Sequence, residues 1–583
     1  MRFGLMGPAA TNPTLAPPEP EGRRLRWDVD HPHYKWVALS NTTLGMLLAM
    51  INASIVLISL PSIFRGIGLE PLAPSNIGYL LWMLMGYLVV TAVLVVLVGR
   101  LGDMFGRVRI YNVGFAVFTF AAIALSFDPF HQGAGAMWLI SWRVIQGIGG
   151  AILMALSAAI LTDAFPSNQR GMALGFNMVA AVAGSFLGLL IGGVLAEWDW
   201  RAIFWVGVPI GVLGTVWGMR SLHEIGVRTP GPLDWPGTVT FGVGLTVVLV
   251  GITYGIQPYG GRATGWTNPL VLGSIAFGLL LLVAFCVIEL RSPQPMVDIR
   301  LFRSAGFGMG NLANLMSSSG RGGLQFMLII WLQGIWLPLR GYSFESTPLW
   351  AGIYMLPATV GFLIAAPLAG WLADRFGARP FAVAGMLLMA ATFIGLVMIP
   401  VDFDYPVFAL LIFLNALGGG IFTAPNTATI MSSVPADQRG AASGVRATFF
   451  NAGSALSIGV FFSLMVVGLA STLPQALDGG LQAQGVSAAV ARDVAGMPPV
   501  GSLFAAFLGY NPIAELLAGS HALQQPGVNA GVLTGKSFFP ELISGPFHAG
   551  LVVVFVAAAL MTLTGALASL VSPGRYADEV EEI

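Results

Sequence analysis

Apolar residues in this chain fill whole windows rather than alternating or marking one face of a helix. Runs of about twenty such residues are separated by shorter polar stretches rich in Arg, Asp, Glu, Gly and Pro. An α-helix needs ~20 predominantly apolar residues to cross the hydrocarbon of a bilayer. Only helices or closed barrels satisfy every backbone N–H and C=O there. The pattern predicts fourteen spans: residues 36–60, 77–98, 110–127, 136–162, 171–196, 202–221, 237–255, 269–290, 306–337, 348–372, 380–400, 405–431, 441–470 and 547–571. The gap at 471–546 is much longer than an ordinary connection. Its apolar stretch, with Val500, Leu503, Phe504 and Phe507, is expected to form short helices on the membrane surface or over an exit. It acts there either as a packed cap or as an outer gate and guide for an amphipathic product.

Composition agrees. Of 583 residues, 56% are hydrophobic and 9% charged, against roughly 25% charged in soluble domains. The 27 basic and 27 acidic residues cancel, so no bulk charge favours nucleic acid. One cysteine, Cys286, excludes an intrachain disulfide and any cysteine metal cluster. Residues 1–35 lack the apolar core of an export signal and are expected to be a cytoplasmic tail, as is 574–583. Arginine far outnumbers lysine, which points to a GC-rich bacterial genome and thus to the bacterial inner membrane. Arginines concentrate in the even-numbered gaps, among them Arg100, Arg107, Arg109, Arg170, Arg220, Arg375 and Arg439. The positive-inside rule then places both termini in the cytoplasm.

Two segments recur. The stretch with Gly99, Asp103 and Gly106 returns as Gly370, Asp374 and Gly377, and the stretch with Pro166, Gln169, Arg170 and Gly171 returns as Pro435, Gln438, Arg439 and Gly440. The copies lie 271 and 269 residues apart, each after a second span or before a fifth. Two six-helix bundles in the same orientation are expected, at 36–221 and 305–573, with two inserted helices in 222–304. The fold class is all-α, membrane-embedded.

These motifs resemble those of the major facilitator superfamily, and in particular its fourteen-helix drug:proton antiporter branch, the group of the QacA and EmrB exporters. The strongest match is Gly99-Arg100-Leu101-Gly102-Asp103-Met104-Phe105-Gly106-Arg107. The resemblance implies a conformational latch there, with Gly370, Asp374 and Gly377 as its second copy. Arg143, Gln146, Gly147, Gly149 and Gly150 match a span-four motif whose buried arginine is assigned to proton transfer; a structural bond to a main-chain carbonyl is the other role open to it. Gly184, Gly188, Gly192 and Gly193 form a helix-packing motif of small residues. It resembles the antiporter motif, with Leu189 where that motif has proline.

The chain also departs from the branch in span one, where Asn52 stands at the position of an aspartate. All acidic residues fall in loops or near span ends, with Asp163 and Glu289 nearest to membrane depth. Proton coupling is therefore expected to be absent or to run through a peripheral carboxylate, Asp103 or Asp163. By resemblance the cavity is lined by spans one, four, nine and twelve, which carry Asn52, Arg143, Gln146, Asn314, Arg321 and Asn415 together with Asn311, Gln325 and Asn426. Arg321 lies mid-span with no acid at its depth. It binds an anionic head group, or it is solvated or bonded to carbonyls freed by the neighbouring glycines.

The expected function is secondary transport by alternating access, exporting small amphipathic or lipophilic compounds in the manner of a multidrug antiporter. Neutral or anionic cargo is favoured over cationic. Movement of a lipid or cell-envelope precursor is the alternative. No enzyme site, cofactor or metal site is expected, because His, Asp, Glu and Cys do not cluster. Neither terminal tail is long enough for a signalling extension. The expected partners are the lipid bilayer, a small amphipathic substrate and, if coupling exists, protons, with the chain a monomer.

Overall fold

The computed structural model describes residues 31, 33–69, 74–166, 169–226, 234–292, 295, 297–435, 439–509 and 511–572. The expected C-terminal tail, residues 1–30 and 32 of the expected N-terminal tail, and the side chains of Arg170, Asp374 and Arg439 lie outside the described residues. Among the described residues, fourteen helices are long and apolar enough to cross a membrane. The first six are α1 (Tyr34–Ile67), α2 (Gly78–Phe105), α3 (Arg107–Ser126), α4 (Gln132–Ala164), α5 (Met172–Trp198) and α6 (Ala202–Ser221). Next come α7 (Trp235–Gly255) and α8 (Pro269–Arg291). The last six are α9 (Ala305–Leu339), α10 (Thr347–Ala373), α11 (Ala378–Met398), α12 (Tyr405–Ser432), α13 (Ala442–Ala470) and α14 (Phe538–Val571).

Helices α1–α6 form one bundle and α9–α14 a second, with α7 and α8 as an added pair. The packing is matched: α1 on α5, α2 on α4 and α3 on α4 and α6 in the first, and α9 on α13, α10 on α12 and α11 on α12 and α14 in the second. Gly106 (φ 104°) and Gly377 (φ 88°) turn the chain between the second and third helix of each bundle. Side chains rarely tolerate such angles, which explains glycine at both recurring positions. The face carrying these turns is called the latch face below, and the opposite one the cap face.

Small residues set the closest approach between α1 and α5. A Cβ on Gly184 would lie 2.8 Å from the Leu47 carbonyl oxygen, and one on Gly188 would lie 2.5 Å from that of Ile51. Gly192 faces Ile55 and Ile58, while Gly193 meets the backbone of Leu349 in α10 and so joins the two bundles. On the other side α2 packs on α13, and α7 lies over both. There Thr253 donates to the Met85 sulfur at 3.1 Å, Ile252 packs on Gly459, and Trp266 donates to the Ser463 hydroxyl at 3.1 Å. Caps from Asp234 and Asn268, each accepting a backbone N–H at 2.9 Å, start α7 and α8.

Near the cap face α9 contains a π-turn, Leu332–Trp336. Gln333 within it donates to the Ile58 carbonyl of α1 at 3.3 Å. The indoles of Trp331 and Trp336 donate to Val401 and Phe403 at 3.0 Å, and Arg340 pairs with Asp402. Arg65 and Glu345 form a further link between bundles, at 3.7 Å.

The long gap is not an open loop. It folds into short helices Leu473–Ala483, Ala488–Ala495, Pro499–Phe507, Ile513–Ala518 and Ala530–Leu533, with a 3₁₀ turn at Ala522–Gln524. Of the placements expected for the apolar stretch, the structure shows the packed one rather than one on the membrane surface. Every residue from Val500 to Phe507 is buried. The helix wedges against α2 of one bundle and α9 and α13 of the other, with Phe504 stacked on Phe462 at 4.9 Å. It has no polar face to present to water or head groups, so burial between helices is its lowest-energy placement. The gap also ends earlier than expected, because α14 starts at Phe538 and runs through Pro546. His548 therefore lies within α14.

Candidate functional site

On the first bundle the structure brings together three residues singled out from sequence. Arg143 on α4, 2% exposed, donates through Nη1 to the Asn52 carbonyl oxygen at 3.2 Å and to Gln146 Oε1 at 2.8 Å. Gln146 Nε2 donates in turn to Asn52 Oδ1 at 3.1 Å. The guanidinium lies 4.6 Å from the Tyr87 ring centroid, and the Tyr87 hydroxyl donates to the Ala49 carbonyl at 3.0 Å. A buried charge needs partners for its donors, and here the Gln146 amide and a main-chain carbonyl take Nη1 and a π-face covers the guanidinium, while Nε has no partner among the described residues. Asn52 meets Arg143 through its main-chain carbonyl and Gln146 through its side chain, so the site is a hydrogen-bond network without an ion pair. Gln146→Leu is expected to lower stability by about 1.5–3 kcal/mol, the usual contribution of a hydrogen bond to a charged group. A thermal melt of the purified variant checks this, and an unchanged midpoint would show that the bond contributes nothing.

The second bundle is built differently. Arg321 on α9 has no hydrogen-bond acceptor among the described residues. Its guanidinium sits 5.1 Å from the Phe362 ring of α10 and 5.2 Å from the Phe450 ring of α13. Asn314 ties α9 to α13 by donating to the Arg446 carbonyl at 2.9 Å. Asn311 donates to its own helix at Phe307, and Asn426 donates to Gly310 at 3.0 Å. Asn415 does not join this set: it donates to Thr392 on α11 at 2.9 Å and pins α12 to its outer neighbour.

Around the latch-face turn, Arg107 bonds Asp103 (2.9 Å through Nε) and Asp163 at 2.6 Å. Glu224 accepts the Arg109 N–H at 2.8 Å. These contacts join α2, α3, α4 and the end of α6, all within the first bundle. Glu289 accepts the Val297 N–H at 3.1 Å and fixes the approach to α9.

Two residues went unremarked from sequence. Arg446 lies inside the thirteenth span and is 9% exposed, with its Nε lacking a partner. Its position within an apolar run was the available signal. Asp128, between α3 and α4, looked like an ordinary loop acid but is 3% exposed. One of its oxygens accepts the Phe130 N–H at 2.9 Å, and burial pushes its carboxyl pKa up. Nothing in the local sequence marked that burial.

The four ion pairs found among the described residues, Arg65–Glu345, Arg107–Asp103, Arg107–Asp163 and Arg340–Asp402, lie at helix ends or in connections. None involves Arg143, Arg321 or Arg446.

Comparison with known proteins matches this architecture. The chain is 27% identical over 437 residues to the riboflavin transporter RibZ of Clostridioides difficile (strain 630), covering 75% of this chain and 89% of that protein. It is 28% identical over 554 residues to the tetracenomycin C resistance and export protein of Streptomyces glaucescens, covering 93% of each. Among solved structures, a bacterial homolog of the human lysosomal transporter Spinster, inward-facing and unoccupied, superposes with a TM-score of 0.54 at 16% identity, covering 93% of this chain and 98% of that one. The family profile described as Major Facilitator Superfamily matches residues 42–458. With that match over most of its length, fourteen membrane-crossing helices and two packed bundles, the chain belongs to the Major Facilitator Superfamily and is a membrane transporter rather than an enzyme.

Proposed function

We propose that this transporter exports small amphipathic or lipophilic compounds across the bacterial inner membrane by alternating access of a site between its two bundles. The observation that carries the proposal is Arg321, held between the Phe362 and Phe450 rings on the second bundle. Aromatic faces with a cation and no acid suit an apolar, neutral or anionic molecule, whereas a cationic drug calls for a carboxylate. The likeness to a resistance and export protein over 93% of each chain supports the outward direction. The arginine-rich latch face is assigned to the cytoplasm, together with both termini. In this scheme 36–221 and 305–573 are the moving units, and 222–304 joins them.

The test is efflux from a drug-sensitive host. Cells carrying the wild type should accumulate less of a lipophilic dye than cells carrying an Arg321→Ala variant or an empty vector. Equal accumulation in all three would refute export.

Asn52 cannot titrate, so proton coupling through span one is not part of the proposal. If protons drive transport, they act through Asp103 or Asp163, both held by Arg107. In proteoliposomes, a pH gradient imposed on the Asp103→Asn or Asp163→Asn variant should give less than about twofold acceleration, a difference under ~0.5 kcal/mol. Strong acceleration that survives in both variants would rule these aspartates out.

A further inference from the structure

We infer that the second bundle carries a two-point anion site, Arg446 and Arg321 on either side of Phe450, and that the cargo it fits is a planar aromatic molecule bearing acidic groups. The inference rests on the export site proposed above and narrows its substrate class.

The register of α9 against α13 sets the geometry. Both helices run in the same direction, tied by Asn314 to the Arg446 carbonyl at 2.9 Å and by Ser319 to the Gly453 carbonyl at 3.1 Å. Arg321 lies seven residues beyond Asn314, two helical turns on the same face, about 10 Å along the axis. Phe450 lies four residues beyond Arg446, one turn on the same face. Its ring is 5.2 Å from the Arg321 guanidinium. The order along the wall is therefore cation, ring, cation, with the two charges on the order of 10 Å apart.

Neither guanidinium has a hydrogen-bond acceptor among the described residues, and Arg446 is 9% exposed with its Nε unpartnered. The contrast with Arg143 matters. That arginine, 2% exposed, has two acceptors, the Asn52 carbonyl and Gln146, beside the Tyr87 ring, although its Nε too is unpartnered. Two embedded cations without acceptors on one wall are costly for folding alone, and an anion would satisfy both. Guanidinium groups bind carboxylate, phenolate or phosphate through paired N–H donors, while the Phe450 ring offers a face for a flat apolar core.

Fluorescein and rhodamine 6G test this, because they share a xanthene core but are anionic and cationic, respectively. The full chain in lipid nanodiscs is titrated with each dye by fluorescence anisotropy. Wild type should bind fluorescein. Arg446→Gln and Arg321→Gln should each weaken it ~10- to 100-fold, the range for a lost charge-assisted bond, with rhodamine 6G changed less than about twofold. Arg446→Lys, which keeps the charge, should retain more fluorescein affinity than Arg446→Gln and guards against a folding artefact. Equal weakening of both dyes, or unchanged fluorescein binding in Arg446→Gln, would overturn the site. A wild type that binds rhodamine 6G but not fluorescein would overturn the anionic class and leave export standing. Loss of export in the drug-sensitive host, scored separately, is what would remove the export proposal itself.

Discussion

Leucine at Gly188 is expected to prevent the first bundle from assembling. A Cβ there already lies 2.5 Å from the Ile51 carbonyl oxygen and 2.1 Å from the Ser54 hydroxyl. Main chain cannot rotate away as a flexible side chain can. Overpacking of a tight interface costs about 1–3 kcal/mol and more where backbone must move. The α1–α5 contact is repeated at Gly184 and Gly192, so displacement at one point separates the helices along their length. The measurement is the yield of monodisperse protein after detergent extraction and its thermal midpoint. Gly175→Leu is the control on the same helix, since no atom lies within 4 Å of a Cβ there. It should behave as wild type. If the two leucine variants are indistinguishable, close backbone approach is not what holds α1 to α5.

The second large effect is expected at the wedge helix Pro499–Phe507. Phe504 is 1% exposed and stacks on Phe462. Phe504→Asp would place a carboxylate among apolar neighbours without a partner, at a cost of several kcal/mol. The wedge should leave its slot while the bundles stay folded. Ala506, 2% exposed and packed on Gly334 of the π-turn, reports the position. In a Cys286→Ser background, Ala506→Cys should react slowly with a membrane-impermeant maleimide, and roughly tenfold or more faster once Phe504→Asp is added, a shift of ~1.4 kcal/mol in protection. Exposed Gln525→Cys supplies the unprotected rate. An Ala506→Cys that reacts as fast as Gln525→Cys without Phe504→Asp would show that the slot is open already.

Much of the architecture could be read from the chain because a bilayer imposes a simple rule on long apolar runs. All fourteen spans were visible, and the glycines at 106 and 377 stood out because no other residue suits their backbone angle. The errors came where a local signal competed with tertiary packing. The last span was expected to start at 547, yet α14 starts at Phe538 and runs through Pro546, since packed neighbours hold a helix that its sequence alone would interrupt. For the stretch from Val500 to Phe507 a membrane-surface helix and a packed cap were both open, because apolarity does not say which surface will cover it, and the structure shows it packed. At the site, sequence identified Arg143 and Arg321 as costly charges, but not that Asn52 and Gln146 accept from the first while aromatic rings flank the second. Partner identity depends on helix rotation, which residue type does not encode. Arg446 lies within the span expected at 441–470 and was not singled out, although a charge inside an apolar run was the available signal. Asn415 was placed with the cavity by its span, but its side chain bonds the opposite neighbour.

The position of the inserted pair has a mechanical consequence. With α7 laid across α2 and α13, and Trp266 bonded to Ser463, one long edge of the molecule is bound like the spine of a book. Two covers stitched along one side part by swinging about that side, and the gap grows with distance from the stitching. The opposite edge, where α5 meets α10, is packed but has no helix pair laid across it, so the widest excursion of any swing falls there, at the glycine contact between Gly193 and Leu349.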